Sequence, residues 1–163
     1  MTSPSDALRS LLDASAVASL GTADDGHPSV SLVPYALLRG PTRLVVLVSE
    51  LSPHTAMLRR DPRCAWMVSE SPNPADPRGN HALARVMAKA TARFLTREEA
   101  HAQGHEAAYR ARFPIAETLL GLKDFHFVEL STVEGSASFV QGFGRAYTAH
   151  GPDLETVEHV RGR

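Results

Sequence analysis

The chain has 163 residues, enough to bury one substantial core without disulfides or metals, and a single domain over residues 1–163 is the default expectation. Its 17 basic and 18 acidic residues nearly balance, so no whole-chain field draws it to nucleic acid or to an anionic membrane surface. Cys64 is the one cysteine, which excludes an internal disulfide and fits a reducing, cytoplasmic setting. No secretory pattern opens the chain, and no window approaches the ~18 apolar residues that cross a bilayer.

Ser5 or Asp6 is placed to cap a helix through Asp13, with Leu8, Leu11 and Leu12 on one face; this N-terminal helix, within residues 1–14, is expected to plug a barrel end. From Ala16 the period changes to two, and the turn residues between Ala23 and Pro28 separate a first strand from a second over residues 29–38. Arg39-Gly40-Pro41-Thr42 turns the chain into a third strand, residues 43–49. Pro53 suits the first turn of a helix reaching about Asp61, which Pro62 stops, and a fourth strand covers residues 63–69.

Residues 71–80 hold three prolines and few apolar side chains, so they read as an exposed, mobile loop. Alternation resumes over residues 82–95. Thr96 and Glu99 form a capping-box signature, opening an amphipathic helix to about Phe113 within a helical insertion at 96–121. Two last strands follow at residues 125–130 and 137–140, then Gly142-Phe143-Gly144 and a polar tail at 151–163. Six to seven short antiparallel strands with flanking helices predict a mainly β (α+β) chain closed into a small barrel, which removes exposed sheet edges. So small a barrel is filled by its own side chains, and a ligand has to sit outside it, between elements or between subunits.

The strand end and helix start at Ser49, Ser52, His54 and Thr55 combine hydroxyls, an imidazole and free helix-terminal amides, a pattern suited to phosphate or carboxylate oxygens. The plainer alternative makes Ser52 an N-cap and His54 an exposed first-turn residue. Gly142 to Tyr147 brings Arg145 beside two glycines, which either allow close backbone approach to a ligand or mark a bend at a barrel corner. Arg85 begins the fifth strand and offers either a fork of donors or a solvated charge. His101 and His105 have the spacing of a metal clamp, but no third ligand is evident and Tyr109 stands where a zinc-protease motif needs histidine; surface histidines are the better reading, and no metal site is assigned. No phosphate-cradling loop or nucleophile elbow is present.

Four stretches in order, Asp25 to Tyr35, Ser49 to Leu58, Asp61-Pro62-Arg63 and Gly142 to Tyr147, resemble the pyridoxamine 5′-phosphate oxidase-like FMN-binding split barrels, and among them the haem-utilisation branch. The resemblance implies a homodimeric split barrel holding FMN at its interface and acting as an oxidoreductase on a small molecule. It places Ser31, Val33, Pro34 and Tyr35 along the isoalloxazine, Ser49, Ser52, His54 and Thr55 at the phosphate end, and Arg85 against the ring, with Arg145 a further cofactor contact. Alternatives are a haem-binding or haem-degrading protein using the same groove, with His54, Asp124 and His159 near the iron, and a cofactor-free binding barrel. Two departures stand out: Pro53-His54 replaces the Arg-Lys pair of flavin-binding members, and Val160-Arg161-Gly162-Arg163 replaces the terminal Gly-His pair that supplies the haem branch's axial ligand.

Overall fold

A computed structural model describes residues 2–160. Helix α1 (Pro4–Ala14) starts earlier than the capping pattern suggested: Ser3 Oγ accepts the Asp6 amide at 3.1 Å, and Pro4, whose missing N–H costs nothing there, takes the first helical position. Its Leu8, Leu11 and Leu12 are buried, as their spacing predicts.

Strands β1 (Val17–Asp24) and β2 (His27–Leu38) form a hairpin closed by Asp25 and Gly26, both at positive φ, the geometry whose twist matches paired strands. After β3 (Arg43–Ser49), helix α2 (Pro53–Arg60) leads into β4 (Arg63–Ser69), and a 3₁₀ turn at Asn80–Ala82 follows a stretch without helix or strand. Next come β5 (Arg85–Phe94), three helices α3 (Arg97–Ala102), α4 (His105–Arg112) and α5 (Ala116–Gly121), and then β6 (Phe125–Thr132) and β7 (Ala137–Val140).

The helix expected to run unbroken to Phe113 is two helices. Thr96 and Glu99 make the capping box, but Gly104 lies at φ 83, a left-handed conformation that ends α3 and re-aims the chain into α4. The polar tail also holds more structure than its composition suggested. Strand β8 (Ala146–His150) pairs with β9 (Thr156–His159), and Leu154 between them is buried at 3% exposure. Strands of four or five residues are too short to show a period.

Six antiparallel strands close the barrel in the order β4-β1-β2-β3-β6-β5, with β5 returning to β4. The second edge of β5 is shared: its first residues, 85–87, take β7, and residues 90–94 take β6. There the sheet splits, and β7, β8 and β9 extend outward from it. Tyr35, Trp66, Leu20, Val46, Val86 and Leu130 fill the interior. The two ends are plugged by helices: the Tyr35 hydroxyl, beside the start of β1, donates to Leu12 O at 2.6 Å, whereas Thr22, towards its end, donates to Met57 Sδ at 3.2 Å. A second core lies outside the barrel, where α3 to α5 cover Ala36, Val45, Leu47 and Phe127 with Leu95, Ala100, Tyr109 and Ala116.

Candidate functional site

Because side chains alternate along a strand, β2 has two distinct faces. Val33 and Tyr35 point inward at 4% and 0% exposure, and burial pushes the Tyr35 hydroxyl up to about 12. Pro28, Val30, Leu32 and Pro34 point outward and are exposed, Val30 at 75% and Leu32 at 68%. The ladder extends this face: Val17 lies opposite Pro34, Ser19 opposite Leu32 and Met67, and Met67 opposite Met87. Gly21, opposite Val30, keeps the face low, since a Cβ there would stand 3.7 Å from that of Ala65. The result is a shallow apolar sheet face whose exposed side chains are contiguous, a surface that soluble proteins use for association or ligand contact.

At the end of the barrel plugged by α2, β3 hands over to that helix through a set of polar contacts. Ser49 Oγ donates to Asp124 Oδ2 at 2.8 Å and accepts the Leu51 amide, while the Glu50 amide donates to Asp124 O at 2.8 Å. Thr55 is fully buried and its hydroxyl donates to Ser49 O at 2.6 Å, so it holds the turn and offers nothing to a ligand. Ser52 occupies the N-cap position of α2, yet its side chain makes no capping bond, leaving the hydroxyl without a hydrogen-bond partner among the described residues. The Nδ1 of His54 stands 3.1 Å from Ser31 Oγ, and partial burial holds the imidazole below its ordinary pKa. Ser31 lies opposite buried Leu20 and shares the inner side of β2 with Val33, so this histidine stands at the barrel end on the side of the strand away from Val30 and Leu32.

Of the residues singled out from sequence, Ser31, Ser49, Ser52, His54 and Asp124 are thus gathered at the barrel end plugged by α2. Val33 and Tyr35 present only backbone outward. Arg85 spends Nη1 on Leu83 O at 3.1 Å and His81 O at 3.5 Å. Arg145 lines a different cavity of about 420 Å³, with Arg78, Glu70 and Phe143. His159 is on β9, its Nε2 3.3 Å from Gly144 O and its ring edge-on to Tyr147. The chain terminus that replaces the Gly-His pair lies, beyond Val160, outside the described residues.

Sequence reasoning missed two features. Val30 and Leu32, which extend the outward face of Pro34, were legible as aliphatic residues alternating with Ser29 and Ser31. His105 is no surface histidine: it is wholly buried, and its Nε2 lies 2.6 Å from Glu129 Oε2, whereas His101 is exposed. Among the described residues no three metal-ligating side chains converge, and no helix is long and apolar enough to cross a membrane.

Residues 4–139 match the family model for pyridoxamine 5′-phosphate oxidase. A Vibrio cholerae protein described as heme oxygenase HutZ is 30% identical over 143 residues, covering 86% of this chain and 78% of its own. The heme binding protein of Mycobacterium smegmatis superposes with a TM-score of 0.77 at 27% identity over 98% of this chain, which spans 62% of that protein's length. The structure of V. cholerae HutZ superposes with a TM-score of 0.71 at 23% identity, over 92% of this chain and 96% of the other.

Proposed function

The chain belongs to the pyridoxamine 5′-phosphate oxidase family, and from that premise we propose that it is a haem-binding protein whose groove is completed by a second copy of the chain over the β1–β2 face. The observation that carries this reading is the chemistry of the barrel end. FMN brings a phosphate dianion, and the barrel end that the resemblance assigns to it holds the Asp124 carboxylate, bound by Ser49, and the His54 imidazole, whose pKa burial lowers, with no lysine or arginine in the Pro53-His54 position. A carboxylate in that place repels phosphate, and two missing charge-assisted bonds cost about 3 kcal/mol.

Haem asks for a broad apolar surface and a neutral imidazole with its second nitrogen oriented. Val30, Leu32 and Pro34, on the outer side of β2, supply the first, and His54, at the barrel end with its Nδ1 against the inward Ser31 and its Nε2 free of any protein hydrogen bond among the described residues, supplies the second. Bound haem supplies the iron chemistry; the protein's part is to seat the ring, exclude water from its face and orient the ligand. The haem-related descriptions of the V. cholerae and M. smegmatis proteins support the same reading.

FMN is the second reading, favoured by the free Ser52 hydroxyl at the start of α2, an acceptor and donor with no assigned role in the fold. Titration of the purified protein with haemin and with FMN separates the two. Haem binding gives a saturable band at about 400 nm, weakened at least tenfold by His54→Ala but not by His159→Ala; flavin binding gives saturable changes at about 450 nm. Saturable FMN binding with no haem band overturns the proposal in favour of the second reading, and the absence of both bands reduces the chain to a binding barrel without either group.

A further inference from the structure

A groove of about 550 Å³ lies between the end of β5 and the connection from α5 to β6, a volume ordinary for a small-molecule cleft. Its inner surface is apolar, with Leu95 buried, Leu120 and Phe125 half-buried, and Leu122 on the rim 49% exposed. Its charged lining is cationic only, Arg97 and Lys123 with His126 at one side, and no carboxylate lines it.

Arg97 is held in place rather than swinging free, because Nη2 donates to Leu120 O at 3.2 Å and to Phe125 O at 3.5 Å, which leaves Nε and Nη1 for another partner. Neither Arg97 nor Lys123 has a carboxylate within 4.0 Å among the described residues, while Arg39, Arg59, Arg60 and Arg63 are each ion-paired. His126 faces Glu50 at 2.7 Å, and the carboxylate of Asp124, between Lys123 and Phe125 in the chain, accepts the Ser49 hydroxyl at 2.8 Å.

We propose that this groove is a separate site for an amphipathic monoanion, a carboxylate with an apolar body, whose head meets Arg97 and Lys123 and whose body lies along Leu120, Leu122 and Phe125. An oriented guanidinium and an ammonium over an apolar surface suit that combination: the head gains charge-assisted hydrogen bonds and the body removes Leu122 from water. A neutral amphiphile keeps only the second gain, and inorganic anions keep only the first. The site rests on no assignment of haem or flavin.

The test is a titration of the whole ¹⁵N-labelled chain with octanoate, followed by amide shifts, with octan-1-ol as the neutral control. Saturable shifts clustered at residues 95–97 and 120–126, at least tenfold weaker binding of octan-1-ol, and a tenfold or greater loss with Lys123→Glu are expected. Lys123 is exposed, so that variant leaves the fold intact; Leu122→Asp checks the apolar wall in the same way. Equal affinity for acid and alcohol, shifts confined to Val30 and Leu32, indifference to Lys123→Glu, or no saturation by about 10 mM each overturns the proposal.

Discussion

His105 Nε2, at the first residue of α4, lies 2.6 Å from Oε2 of Glu129 on β6, with both side chains under the helical insertion. Arg43 at 3.2 Å and Arg93 at 3.7 Å complete the cluster around the carboxylate. Burial by itself would raise the Glu129 pKa, but the His105 hydrogen bond and the two guanidinium charges outweigh it and hold it below the ordinary 4.5.

Removing that carboxylate strands a buried imidazole and unbalances two arginines. Glu129→Ala is therefore expected to cost about 3 kcal/mol or more in urea unfolding at pH 7. Because the folded pKa is depressed, the stabilisation is present above the unfolded value and fades as pH falls through the folded one. The gap between wild type and Glu129→Ala should accordingly narrow below pH 4.5; a gap that stays constant into acid contradicts the role assigned to the ionised carboxylate.

The apolar face of β2 calls for cover. Leu32→Asp with Val30→Asp alters side chains exposed at 68% and 75%, so the stability of each subunit should change by no more than about 0.5 kcal/mol. The same pair should convert a dimer into a monomer in sedimentation equilibrium. A wild-type chain that already sediments as a monomer removes the second copy from the proposed groove.

His54 should impose a pH limit on haem binding that is lower than that of a free imidazole. Burial lowers its pKa from 6.5, and protonation competes with iron for Nε2. Haem affinity should thus hold through pH 6.5 and decline only below it, while His54→Ala should bind weakly with no such titration. A wild-type midpoint at or above 6.5 would count against this ligand.

Gly104 joins α3 to α4 at φ 83, where a Cβ would meet nothing within 4 Å, so the obstacle to a side chain is conformational and not steric contact with neighbours. Gly104→Ala should cost about 1–2 kcal/mol, read as a lowered melting temperature, and Gly104→Asn should recover part of it because asparagine tolerates the left-handed region.

Much of this molecule was legible without coordinates because its signals are local. Apolar runs bounded by turn residues located β3, β4 and β7, Pro53 and Pro62 bracketed α2, and the Thr96–Glu99 box started α3. Ser49 and His54 were legible together at the junction of strand and helix, whereas Asp124 joined them only through the family resemblance, since Ser49 and Asp124 are 75 residues apart in the chain.

Composition and pattern by themselves determined a mainly β barrel filled by its own side chains, for the period of a strand and the volume of its residues depend on nearest neighbours. Tertiary structure alone decided which face of β2 is core and which is exposed, that His105 is buried against Glu129, and that the tail contributes β9 as a partner to β8. Those outcomes depend on which distant strands pair and in what register, and a one-residue slip in register would exchange the face of Leu32 with that of Val33.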